Sequence, residues 1–167
     1  KESSAASDVY KRQDQVVQTL LHGVIERVQQ RIPFRPGAQE LIASLKAAGV
    51  PMALVTMSYR SLAQAVVDGL PEGTFRTLIT GDEVSRGKPD PEPYLTGAAS
   101  LSVEPAMCIA LEDSVPGMTS AIAAGTLTVG IPNHVALEEQ PGAILVETLD
   151  GLNAESLGNL VRPLQGS

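Results

Sequence analysis

Five short apolar runs separated by stretches of helical period predict an α/β fold, a Rossmann-like parallel sheet with helices on both faces. The runs are PMALVT at 51–56, FRTLIT at 75–80, MCIALE at 107–112, LTVGI at 127–131 and AILVET at 143–148, each with turn residues at its ends. Between most of them lie helical segments at 61–69, 91–101 and 116–124, and a last helix is expected over 153–161. No internal repeat or low-complexity tract interrupts this alternation.

Ahead of the first strand the pattern is helical. From Asp14 to Arg31 apolar side chains recur as Val17, Leu20, Leu21, Val24, Ile25 and Val28, and Pro33 and Pro36 then form a short connector. Residues 37–48 form a second amphipathic helix through Leu41, Ile42 and Leu45, stopped by Gly49. Residues 3–13, SSAASDVYKRQ, share no pattern with the remainder of the chain. One string of codons for them resembles, base for base, a transposase-based sequencing adapter. Residues 1–13 are therefore expected to be a non-native or disordered leader, with the natural sequence beginning near Asp14 inside a gene.

The chain has 167 residues, 43% of them hydrophobic, which suffices for one domain with a real core. A net charge of −7 argues against nucleic acid or an anionic membrane as partner, and no protein partner is evident. The single Cys108 excludes an internal disulfide and fits a reducing, cytoplasmic setting. No apolar run reaches the roughly 18 residues of a membrane span.

In open parallel sheets ligands bind beyond the carboxyl ends of the strands, so the residues there matter most. Thr56 closes the first run, followed by Met57 and Ser58; a hydroxyl and free N–H groups there suit a phosphate oxygen, although Ser and Thr also cap helices routinely. Tyr59 and Arg60 follow close enough to meet an anion. Lys88 lies in GKPDPEPY, a loop stiffened by Pro89, Pro91 and Pro93, which makes it a fixed charge. Glu112 and Asp113 end the third run. Burying unpaired carboxylates is expensive, so something positive should sit beside them. A hard cation such as Mg²⁺ takes one or two carboxylates with waters and phosphate, and Asp113 is the better direct ligand. His22, His134, Cys108 and the Glu138–Glu139 pair read as structural or surface residues.

Thr56, Lys88 and Glu112–Asp113 thus follow one another at successive strand ends. With RPGAQELIASLKAAG, ALVTMS, GKPDPEPY and EDSVPGMTSAIAAG, this arrangement resembles the haloacid-dehalogenase-like superfamily, in its helical-cap branch of phosphatases and beta-phosphoglucomutase-like enzymes. The resemblance covers Pro33 to about His134. It implies phosphoryl transfer through an aspartyl-phosphate, with Mg²⁺ as cofactor and a small phosphorylated metabolite as substrate, a sugar phosphate being the usual choice. Thr56 would hydrogen-bond a phosphoryl oxygen, with Met57, Ser58 and Arg60 in the substrate site. Lys88 would pair with the nucleophile and the transferring group, and Asp113 would hold Mg²⁺ with help from Glu112. Residues 14–36 would be the end of a helical cap and its linker, and residues 37–167 the hydrolase core.

The family's first strand ends in Asp-x-Asp, the nucleophile followed by the general acid and base. Here the aspartates are Asp8, Asp14, Asp68, Asp82, Asp90, Asp113 and Asp150, and no two are separated by one residue. The chain is therefore expected to be a truncated, inactive piece of a working phosphatase. A phosphomutase or a non-catalytic binding domain are the alternatives. The absent strand would lie between those ending at Thr56 and Glu112. Its loss would leave two backbone edges unpaired or force those strands together, so the isolated chain is expected to be unstable or aggregation-prone.

Overall fold

Each expected strand is present in the computed structural model, which describes residues 2–165. The strands are β1 (Ala53–Val55), β2 (Thr77–Ile79), β3 (Ile109–Glu112), β4 (Leu127–Gly130) and β5 (Ala143–Leu145). The helices are α1 (Glu2–Gln30), α2 (Ala38–Ala47), α3 (Arg60–Asp68), α4 (Glu92–Leu101), α5 (Val115–Ala123) and α6 (Ala154–Leu160). All strand pairs are parallel, as βαβ crossovers require. The strands are shorter than the apolar runs because a ladder extends only as far as a neighbouring strand does.

The sheet is split. β1 pairs only with β2, while β3, β4 and β5 form a separate three-stranded sheet in that order. Of the two outcomes expected between the strands ending at Thr56 and Glu112, the unpaired one is observed: β1 and β3 share no ladder. Thr56 donates its N–H to Ile79 of β2, so the adjacent Val55 carbonyl points away from β2, toward the open edge.

Two apolar clusters cover opposite faces. Leu127, Val129 and Ile131 alternate along β4 and pack with Leu41 of α2, Leu157 of α6, Leu149 and Val161. On the other face Ala110 of β3 meets Tyr94 of α4 with Ala121 of α5 and Ala124 at its C-cap, and Val55 of β1 packs against this group. The second cluster therefore spans the seam between the two sheets.

Local chemistry sets the helix starts. Ser114 caps α5, its hydroxyl accepting from the Gly117 N–H at 3.2 Å. Asn153 caps α6 in a reciprocal box with Ser156. Residues 2–13, part of the leader expected to be non-native or disordered, continue α1 without a break, since SSAASDVYKRQ holds neither Pro nor Gly. The backbone thus carries no mark at the division between residues 13 and 14. Lys1 of that leader and the last two residues of the expected core lie outside the described residues. α1 rests on α3 where Leu21 and Ile25 are half-buried and Val28 is buried. No described helix is long and apolar enough to cross a membrane.

Gly37 opens α2 at φ +76°, and a Cβ there would overlap the backbone of Leu149 and Asp150. Gly49 has φ +72° but open space around it. Gly49→Ala should therefore cost only the left-handed strain, about 1 kcal/mol. Gly37→Ala should cost roughly 3 kcal/mol, because overlap with rigid backbone is added. Urea unfolding of both variants checks the difference, and equal losses would contradict the close approach.

Candidate active site

At the carboxyl ends of β1 and β3, Lys88 meets Glu112 and the Val55 carbonyl. Lys88 arrives on the loop after β2 and reaches inward, its side chain 10% exposed and that of Glu112 6%. The ammonium donates to Glu112 Oε1 at 2.5 Å and to the Val55 carbonyl at 3.0 Å, and lies 3.4 Å from the Tyr94 hydroxyl. The positive group required beside the buried carboxylate is therefore Lys88. Glu112 also accepts from the Tyr94 hydroxyl through Oε1 and from Ser114 Oγ through Oε2 at 3.4 Å.

The first turn of α5 completes this seat. A Cβ on Gly117 would overlap the Glu112 carboxylate, so the glycine admits it to the helix N-terminus, where backbone dipoles favour negative charge. Tyr94, on the buried face of α4, has its phenol held well above the ordinary value by burial and then by the Glu112 charge. It therefore remains a donor.

Asp113 is exposed and accepts from Asn133 Nδ2 at 3.4 Å through one oxygen. Among the described residues no three His, Cys, Asp or Glu side chains group as a metal cluster. Glu112 is occupied by three donors, so the donor set fits a hard cation held by Asp113 and largely by water, with Glu112 at one remove.

The loop after β1 is packed more tightly than its sequence indicates. Thr56 Oγ1 accepts from the Ser58 N–H at 3.1 Å, leaving its own hydroxyl hydrogen for another acceptor. The Met57 side chain turns under the Lys88 loop: its sulfur accepts from the Lys88 N–H at 3.3 Å and lies 2.9 Å from where a Gly87 Cβ would be. A Cβ on Gly81 would overlap the Met57 carbonyl. Met57 is thus clasped by both ends of the loop that carries Lys88. Arg60, expected near an anion, gives its guanidinium to Glu83 at 2.6 Å and its N–H to Asp82 at 3.1 Å. The carboxylates of the β2 loop therefore hold the start of α3.

Tyr94, Ser114, Gly117 and Asn133 do not stand out as site residues in the sequence, although Tyr94 lies inside GKPDPEPY. The signal for Tyr94 is its place six residues beyond Lys88, within reach after one turn of helix. Cys108 is half-buried, and burial pushes its thiol up, so it is no thiolate nucleophile.

A family model described as haloacid dehalogenase-like hydrolase matches residues 2–125. The bifunctional riboflavin kinase/FMN phosphatase of Arabidopsis thaliana is 41% identical over 62% of this chain and 28% of that protein. Hexitol phosphatase A of Escherichia coli is 38% identical over 58% of this chain and 44% of that protein. The chain therefore spans less than half the length of these curated relatives. Among solved structures, CbbY from Rhodobacter sphaeroides in complex with phosphate superposes with a TM-score of 0.68 at 32% identity, over 74% of this chain and 58% of that one.

Alanine is ordinarily about 0.5–1 kcal/mol better than glycine within a helix. Gly117→Ala should reverse that sign and destabilise by roughly 2–3 kcal/mol, because its methyl would expel the Glu112 carboxylate. In a Glu112→Ala background the same change should become neutral or stabilising. Thermal or urea unfolding of the four chains reads the coupling; a loss unchanged by Glu112→Ala would show that the contact is not what matters.

Proposed function

The chain belongs to the haloacid dehalogenase-like hydrolase family, and from that premise we propose that the complete protein is a Mg²⁺-dependent phosphatase of small phosphorylated metabolites, with sugar phosphates as the substrate class. The observation that carries this reading is the buried Lys88–Glu112 pair at the joined ends of β1 and β3, with the exposed Asp113 beside it. Relatives named as phosphatases, one of hexitols, support the substrate class.

In this reading Lys88 stabilises negative charge as it grows on the transferring phosphoryl group. A buried ammonium does this better than an exposed one, because solvent does not screen it. Thr56 donates its free hydroxyl hydrogen to a phosphoryl oxygen. Met57 positions the Lys88 loop, and Arg60, paired with Glu83, serves the substrate only where that pair opens. Asp113 holds Mg²⁺, which when bound offsets phosphate charge. Glu112 fixes Lys88 and would assist the ion only through water. The sequence given holds no Asp-x-Asp pair to act as nucleophile and general acid and base, so this chain is proposed to bind but not to turn over substrate.

The chain should bind inorganic phosphate in a Mg²⁺-linked manner without hydrolysing p-nitrophenyl phosphate, measured by calorimetry and a colorimetric assay. Lys88→Met should weaken phosphate binding about tenfold or more, the scale of one charge-assisted hydrogen bond. Asp113→Asn, at an exposed position that leaves the core intact, should abolish the Mg²⁺ dependence. Phosphate binding indifferent to Mg²⁺ and to both substitutions would sink the reading.

A further inference from the structure

The proposed chemistry leaves one buried polar group of the cluster without a task, the hydroxyl of Tyr94. Tyr94 is 9% exposed, and among the described residues its hydroxyl is the one side-chain group bonded to both members of the Lys88–Glu112 pair. It donates its single hydrogen to Glu112 Oε1, which turns its lone pairs toward the Lys88 ammonium at 3.4 Å. The ring lies beneath the same ammonium, with the nitrogen 4.9 Å from its centroid. Hydroxyl, carboxylate and ammonium therefore close a triangle.

The three corners come from three different elements. Tyr94 is on α4, Glu112 ends β3, and Lys88 is on the loop after β2. The ammonium has three hydrogens and three acceptors, namely the Val55 carbonyl, Glu112 Oε1 and the Tyr94 oxygen. Two of these acceptors are set by Tyr94: one directly, and one because its hydroxyl fixes which carboxylate oxygen faces the lysine. Packing alone needs only the ring. A phenylalanine would fill the same space and leave Glu112 Oε1 one donor short.

We propose that Tyr94 is a positioning residue for Lys88, acting through its hydroxyl bond to Glu112 to hold the ammonium at the end of β1. The proposal rests on the phosphatase reading only for its functional consequence, since the triangle stands without it. Tyr94→Phe keeps the ring and removes the hydroxyl, so it separates positioning from packing, while Tyr94→Leu removes both.

Lysine ammonium ¹H–¹⁵N spectroscopy on the full chain reads the effect directly. Wild type should show one ammonium signal protected from water exchange, lost in Lys88→Met. Tyr94→Phe should shift and broaden that signal while the chain stays folded, and should weaken Mg²⁺-linked binding of inorganic phosphate about three- to tenfold. A protected Lys88 signal unchanged in Tyr94→Phe overturns the proposal. If the signal changes but wild type binds no phosphate, the phosphatase reading fails and the positioning role stands. Should Tyr94→Phe fail to fold, the wild-type chain decides: a slowly exchanging Tyr94 hydroxyl proton close to the Lys88 ε-methylene supports the proposal, and its absence overturns it.

Discussion

The buried ion pair between Lys88 and Glu112 is the constraint around which this structure is arranged. Removing two charges from water costs several kcal/mol for each, and their attraction offsets that cost only where the remaining hydrogen-bonding capacity is filled. Here it is filled from three directions: Val55 supplies a carbonyl, Tyr94 a hydroxyl and Ser114 a second hydroxyl, while Gly117 leaves room for the carboxylate at the N-terminal end of α5. Among the described residues no buried side-chain nitrogen or oxygen lacks a partner. Residues far apart in the sequence are thereby required to converge, and the glycine at 117 and the serine cap at 114 follow from that requirement.

The pair also lies where the backbone is least complete. β1 and β3 have no ladder between them, so the seam is held by side chains rather than by main-chain hydrogen bonds. On one face the cluster of Val55, Tyr94, Ala110 and Ala121 spans it, and at the carboxyl end Lys88 bonds to both strands. An apolar cluster is tolerant of small displacements, whereas a lysine shared between a carbonyl and a carboxylate is not. The polar contact therefore sets the relative position of the two strand ends, and the apolar cluster supplies the bulk of the attraction.

Much of this was legible in the sequence, and for identifiable reasons. Short apolar runs bounded by turns gave all the strands, because parallel strands buried on both faces need nearly continuous hydrophobicity. Lys88, Glu112 and Asp113 stand out because three prolines after a lysine, and two acids ending a buried run, are costly without a purpose. What the sequence hid are contacts between residues distant along the chain. Arg60 reads as an anion ligand, and no local pattern shows that Glu83, from another loop, is its partner in an exposed pair. Met57 reads as a residue of the substrate site, and nothing local shows that its sulfur also accepts from the Lys88 N–H or that Gly81 and Gly87 lie against it. The split of the sheet was legible only as one of two outcomes, since strand pairing depends on neighbours that no local pattern names. The difference in pattern between residues 3–13 and the rest of the chain says nothing about helix propensity, and α1 runs through them.

The lengths of the three ammonium contacts indicate how such a site exchanges partners. Lys88 has no hydrogen to spare: one goes to Glu112 at 2.5 Å, one to Val55 at 3.0 Å and one toward Tyr94 at 3.4 Å. Any phosphoryl oxygen that takes a hydrogen bond from this lysine must displace one of them. The contact to Glu112 carries full opposite charge and the contact to Val55 is within ordinary hydrogen-bond length, so both are costly to give up. The third is long, and its acceptor is already satisfied as a donor to Glu112. An anion at the end of β1 would therefore replace the weakest contact of the ammonium while the carboxylate stayed held by the tyrosine. Under the proposed phosphatase reading, the lysine would turn toward an anion without losing its anchor, as a fixed charge at a phosphoryl-transfer site must.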